Sequence, residues 1–165
     1  MANLAQQTGA ILLSKRLTLS VCESCTGGML GSMITSIPGS SNYFKGGVIA
    51  YSNELKIKLA QVRKKTLQDF GAVSRQTARE MAEGTKAKTG SDLCLAITGI
   101  AGPGGGTKTK PVGLVYIGLA LPNKTIVKKF FFKGNRAQIR KQACFQALKL
   151  LIQNLKRKNE DLHCN

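Results

Sequence analysis

The chain has 165 residues, 42% of them hydrophobic, and carries 25 lysines and arginines against 8 acidic residues, a formal net charge of +17. That length and apolar fraction describe a single domain over 1–165, able to bury an ordinary core without disulfide or metal staples. No apolar run approaches the ~20 residues a bilayer requires, and no basic-then-apolar leader opens the chain, so no membrane association and a cytoplasmic location are expected.

Leu4, Ile11, Leu12 and Leu13 predict a helix to about Lys15, followed by a strand over Leu17–Cys22 and a helix over Thr26–Ile37. Pro38 to Asn42 reads as a loop, and Phe44–Tyr51 as a second strand in which Gly46-Gly47 permits a bulge or close backbone approach. Asn53 is expected to cap a short helix through Leu59, a second short helix follows over Thr66–Phe70, and Ser74 caps a longer one stopped by Gly90. A buried strand over Asp92–Thr98 leads into a glycine-rich loop, Gly99–Pro111. Val112–Leu121 and Thr125–Phe132 alternate as a hairpin, and Asn135 starts a last helix with an apolar stripe of Cys144, Leu148, Leu151 and Leu155. Residues 158–165 read as a frayed tail. The alternation predicts an α/β fold, a three-layer α/β/α domain with a mixed, mostly parallel sheet.

Several residue patterns bear on chemistry. The run Glu23-Ser24-Cys25-Thr26-Gly27-Gly28 sits where a strand gives way to a helix. A serine there suits a nucleophile with oxyanion donors or an anion cradle, or else Ser24 or Thr26 caps the helix. Histidine is confined to His163, three residues from the end, so an imidazole base for Ser24 is excluded and lysine is the alternative. Tyr51 and Lys56 stand at the second strand's exit and in the next helical turn; the plain alternative is a packed tyrosine and a solvated lysine. The loop Thr98 to Thr107 fits neither the P-loop nor the dinucleotide register, leaving backbone donors after a buried strand, with Thr98 and Gly99 at its start, or a wide structural turn. Arg136 and Arg140 continue the apolar stripe of the last helix and oppose its dipole, which points to an anion or to a salt bridge.

Five cysteines, three of them in predicted core elements, fit reduced thiols; Cys22 and Cys25 also form a C-x-x-C pair that could be a redox dithiol. No second pair completes a zinc site. No acidic residue occurs from Leu93 through Asn159, so anions, including nucleic acid and phosphorylated metabolites, are attracted to that half. No nucleic-acid motif or base-stacking pattern accompanies the charge, so nucleic acid is not the expected partner.

The chain resembles the CinA C-terminal domain family. The resemblance rests on Glu23 to Gly28, Pro38-Gly39-Ser40-Ser41 with Tyr43-Phe44, and Gly46 to Lys56. It continues through Gly71-Ala72-Val73-Ser74, Thr98 to Pro103, and Lys110-Pro111-Val112-Gly113, spanning about Leu4 to Leu155. It implies hydrolysis of the carboxamide of nicotinamide mononucleotide to nicotinic acid mononucleotide and ammonia, in NAD recycling, by a homo-oligomer needing no metal or cofactor. Ser24 matches the nucleophile, Tyr51 and Lys56 the residues that activate it, and Ser41, Thr98 and Arg136 the substrate pocket. With these, the N–H groups from Cys25 through Thr26, Gly27 and Gly28 are expected to hold the oxyanion, and Gly99 and Arg140 to serve substrate binding. Cys22 departs from the family's usual alanine, and Asn135 from its aspartate. The nucleotide-binding domain of longer CinA proteins, and its activity, is not expected. The alternatives are a non-catalytic nucleotide- or nucleic-acid-binding module and a dithiol redox protein.

Overall fold

The computed structural model describes residues 4–157; the expected tail and His163 lie outside the described residues. The helices are α1 (Leu4–Lys15), α2 (Met29–Thr35), α3 (Asn53–Lys58), α4 (Lys64–Phe70), α5 (Arg75–Thr89) and α6 (Arg136–Arg157). The strands are β1 (Leu19–Glu23), β2 (Phe44–Ile49), β3 (Leu93–Gly99), β4 (Leu114–Ala120) and β5 (Thr125–Phe131), in the sheet order β2-β1-β3-β4-β5. β2, β1 and β3 pair in parallel and the β4–β5 hairpin is antiparallel, so β4 alone runs against the rest. Among the described residues no helix is long and apolar enough to cross a membrane.

Both sheet faces are covered, which explains why every residue of β1 is buried, Ser20 and Glu23 included, and why β3 reads as a nearly continuous apolar run. Leu19, Val21, Leu93, Leu95 and Ile97 face a core built with α1, α2 and α6, while Cys22, Cys94 and Ala96 face α5. The α5 layer is rich in small residues, Ala50, Ala60, Ala82, Ala96 and Ala120 among them, around Met81. A Cβ on Gly118 of β4 would lie 2.5 Å from the Ala78 carbonyl oxygen of α5, so only glycine lets that backbone approach.

Several boundaries differ from the sequence expectation for local reasons. β1 begins at Leu19 because Thr18 is taken by Asp92, whose carboxylate accepts from the Thr18 N–H at 2.7 Å and its hydroxyl at 2.6 Å. α3 is capped by Ser52 rather than Asn53, Ser52 Oγ accepting from the Leu55 N–H at 3.1 Å. α2 starts at Met29, after a turn that needs Gly27 and Gly28 at positive φ. Two caps match the expectation: Ser74 Oγ accepts from Thr77 N–H at 3.1 Å, and Asn135 and Gln138 form a reciprocal capping box at 3.0 and 2.8 Å. The Gly46 region carries the anticipated bulge, since Leu19 pairs with Phe44 but Ser20 with Gly46.

β1 is flanked by β2 on one side and β3 on the other, and the crossovers to them run over opposite faces. That arrangement opens a crevice at the carboxyl ends of β1 and β3, where open α/β sheets take ligands.

Candidate active site

A cavity of about 270 Å³ occupies the crevice, and Ser24, Tyr51, Lys56, Thr98, Gly99 and Arg136 all line it. A larger hollow of about 640 Å³ lies between Arg79, Lys86 and Lys124, next to the start of β3 and away from Ser24.

Ser24 follows β1 directly and is 8% exposed. Its N–H donates to the Ile97 carbonyl at 3.0 Å, which locks the turn to β3. Lys56 comes from α3, is 1% exposed, and donates from Nζ to the Ala50 and Tyr51 carbonyls at 2.9 and 3.0 Å. Burial holds its pKa below the ordinary lysine value of 10.5, with Cys22 and Cys25 pulling weakly the other way. Lys56 is therefore a buried, carbonyl-held amine, and the solvated reading is set aside.

Tyr51 holds Lys56 through its backbone carbonyl. The residue is 59% exposed and its hydroxyl accepts from Arg136 Nη2 at 3.2 Å, while Arg136 Nη1 donates to the Gly102 carbonyl at 3.0 Å. Arg136 is thus exposed at the mouth and bound to neutral oxygens. Thr98 Oγ1 donates to the Ala72 carbonyl at 2.8 Å and ties the end of β3 to the segment between α4 and α5. Gly99 lines the cavity without a side chain, and a Cβ there would come within 2.6 Å of Val115 Cγ2, so packing against β4 keeps it glycine.

Glu23 is the residue that sequence reasoning missed. Its carboxylate, 1% exposed, accepts from the N–H groups of Gly28 at 3.1 Å, Leu30 at 3.0 Å and Gly31 at 2.8 Å. The cap of α2 is therefore Glu23, not Ser24 or Thr26; Thr26 Oγ1 is buried with no hydrogen-bond partner. This also corrects the expected oxyanion donors. Gly28 N–H is committed to Glu23 and Gly27 N–H to the Ser24 carbonyl at 3.1 Å, leaving the Cys25 and Thr26 N–H groups without an oxygen acceptor among the described residues. The only signal in the sequence was an acid ending a buried strand, five residues before the Gly28 cap position and outside the capping-box spacing.

Arg140 does not enter the cavity. Its Nη2 donates to the Thr26 carbonyl at 2.7 Å, so it clasps the turn from behind, and its Nε is buried without a partner. Ser41 sits in a 3-10 turn (Ser40–Asn42) before β2, at the opposite end of the parallel strands from Ser24. Thr26, Gly27 and Gly28 shape the turn but do not line the cavity.

Cys22 belongs to the α5-side core and Cys25 to the α6-side core, so their side chains pack on opposite faces of the sheet. Burial pushes each thiol up to about 11. Neither placement nor acidity suits an exchanging dithiol.

The model of the CinA C-terminal domain family matches residues 1–155. A CinA-like protein of Endomicrobium trichonymphae is 54% identical over 152 residues, covering 92% of this chain and 36% of that protein. One of Thermotoga neapolitana is 50% identical over 146 residues, covering 88% of this chain and 36% of that protein. The chain thus spans 36% of the length of both relatives. Among solved structures, a CinA superfamily protein of Klebsiella pneumoniae superposes with a TM-score of 0.90 at 30% identity, covering 93% of this chain and 96% of that one. The competence/damage inducible protein CihA of Agrobacterium tumefaciens gives 0.89 at 38% identity, covering 93% of each.

Proposed function

This chain belongs to the CinA C-terminal domain family, and we propose that it is an amidohydrolase that deamidates nicotinamide mononucleotide to nicotinic acid mononucleotide and ammonia. The observation that carries the reading is the buried Lys56 amine lining the same cavity as the Ser24 hydroxyl. A lysine serves as a base only when neutral, and desolvation favours its neutral form.

In this mechanism Ser24 Oγ attacks the carboxamide carbon and its proton passes to Lys56 Nζ. The oxyanion that forms meets the Cys25 N–H at the cavity wall, such a donor being worth about 3 kcal/mol in a dry site. The C–N bond then breaks, Lys56 returns the proton to the leaving nitrogen, and ammonia departs. Water attacks the acyl-enzyme with its proton taken by Lys56, and nicotinic acid mononucleotide is released as Ser24 is regenerated. Arg136 at the mouth supplies the cation for the substrate phosphate, and the Gly99 wall lets the ligand lie against backbone. The proposal includes a role in NAD recycling for a cytoplasmic homo-oligomer without metal or cofactor.

The test is ammonia release from nicotinamide mononucleotide, beside nicotinamide and its riboside. Ser24→Ala is expected to lower the rate by about three orders of magnitude or more at unchanged thermal midpoint. Undiminished ammonia release by that variant would refute the catalytic assignment.

A further inference from the structure

The high positive charge has a second focus, away from Ser24. The residues Gln138, Lys141, Gln142, Phe145, Gln146 and Lys149 recur on α6 at helical spacing and form a stripe beside the buried one. Two adjoining hollows of about 420 and 230 Å³ run along it, sharing Gln142 and Phe145, with Lys133 at one end and Phe132, just past the end of β5, on the other wall. Gln142 Nε2 donates to the Lys133 carbonyl at 2.8 Å, fixing the strand end against the helix. Lys141 Nζ stands 5.6 Å from the half-buried Phe145 ring, and on the other side of the strand Lys129 Nζ stands 4.8 Å from the exposed ring of Phe131.

We propose that this β5–α6 groove binds single-stranded nucleic acid, its lysines on phosphates and Phe145 stacking a splayed base. Charge complementarity carries the assignment. The four ion pairs Lys58–Glu54, Arg63–Glu80, Lys65–Asp69 and Arg79–Glu83 lie between residues 54 and 83, and none involves Lys133, Lys141 or Lys149. From residue 138 to 149 the stripe is about 16 Å long at ~1.5 Å per residue, longer than a single phosphate requires and suited to a chain of them. A recessed ring between amide side chains fits an unstacked base, which a duplex does not offer. An anionic membrane would call for an apolar prominence rather than a hollow. A second copy would set the same lysines against each other across a two-fold axis. The stacking site is assembled from a strand end and a helix, which is why no linear motif announces it.

The experiment is fluorescence anisotropy of a labelled 12-nucleotide oligothymidylate with the full chain, across a salt series. Three lysines on phosphates predict a slope of log K against log salt of about −2, falling to about −0.7 in the Lys141→Gln/Lys149→Gln double variant. Phe145→Ala is expected to weaken binding about tenfold at constant salt slope, because one stacked base is lost and no charge is. Thermal midpoints of all variants, read alongside, confirm that each is folded. The proposal is overturned by Phe145→Ala binding as the parent does, by duplex of the same length binding as tightly, or by phosphatidylserine vesicles binding where the oligonucleotide does not. It is overturned equally if Phe145→Ala dissociates an oligomer while oligonucleotide affinity stays unchanged.

Discussion

Lys56 Nζ donates to the Tyr51 carbonyl at 3.0 Å, so the backbone of the residue at the cavity mouth holds the amine at its floor. Two carbonyls accept from Nζ, and burial holds the amine's pKa below its ordinary value.

Two pH dependences follow from that lowered pKa. The kcat/KM for ammonia release is expected to rise with pH as Lys56 loses its proton, on a limb centred below 10.5, and Lys56→Met should abolish the activity together with the limb. Stability has its own sign. Between the folded and unfolded pKa values the unfolded chain binds more protons, so this group makes stability rise with pH in that window and adds nothing above 10.5. Urea midpoints of the parent and of Lys56→Met, compared from pH 7 upward, should move in the parent's favour.

Arg136 and Arg140 lie one helical turn apart and should fail differently. Arg136→Ala, at the mouth, is expected to raise KM about tenfold or more with a small change in kcat, since it removes a contact to the substrate that persists into the transition state. Arg140→Ala releases the Thr26 carbonyl, so kcat should fall at nearly constant KM, with a stability loss of about 1.5–3 kcal/mol for one charged hydrogen bond. Steady-state kinetics with urea unfolding separates the two, and a shared KM effect would contradict the assigned positions.

Glu23 fixes the start of α2, and its removal should be costly. Glu23→Ala strands three N–H groups, that of Leu30 fully buried, and is expected to lose about 3 kcal/mol, whereas Glu23→Gln keeps an acceptor and should lose about half as much. Ammonia release should decline in the same order, because the Ser24 turn is built on those bonds.

The buried thiols should be bystanders. With pKa values near 11, about one Cys22 or Cys25 side chain in 10,000 is thiolate at pH 7. Cys22→Ala is expected to retain ammonia release, and iodoacetamide at neutral pH to leave the folded chain unalkylated at both positions by mass spectrometry.

Much of the layer architecture was legible in the sequence because burial leaves periodic marks. The apolar run of β3, the hairpin alternation and the α6 stripe each report which faces are covered. Ser24 and Lys56 were found through the strand-to-helix turn, the absence of a usable imidazole and the family pattern. The rest was hidden by distance along the chain. Glu23 bonds N–H groups five to eight residues ahead, Arg140 reaches Thr26 across 114 residues, and Thr98 reaches Ala72 across 26. No local pattern distinguishes an arginine that faces a ligand from one that faces a carbonyl. Ser41 shows the converse, since its place at the far end of β2 is set by strand direction rather than by the residues around it.

The glycine that lets α5 lie against the sheet gives the molecule a thin side and a thick side. Backbone meets backbone where Gly118 faces Ala78, leaving no side-chain depth there to absorb movement. Lys56 is delivered by the short helix that leads into that stiff layer, whereas Arg136 opens α6 at the exposed rim. The reacting end of the crevice is thus anchored where the protein cannot give, and the recognising end stands where it can adjust to what arrives.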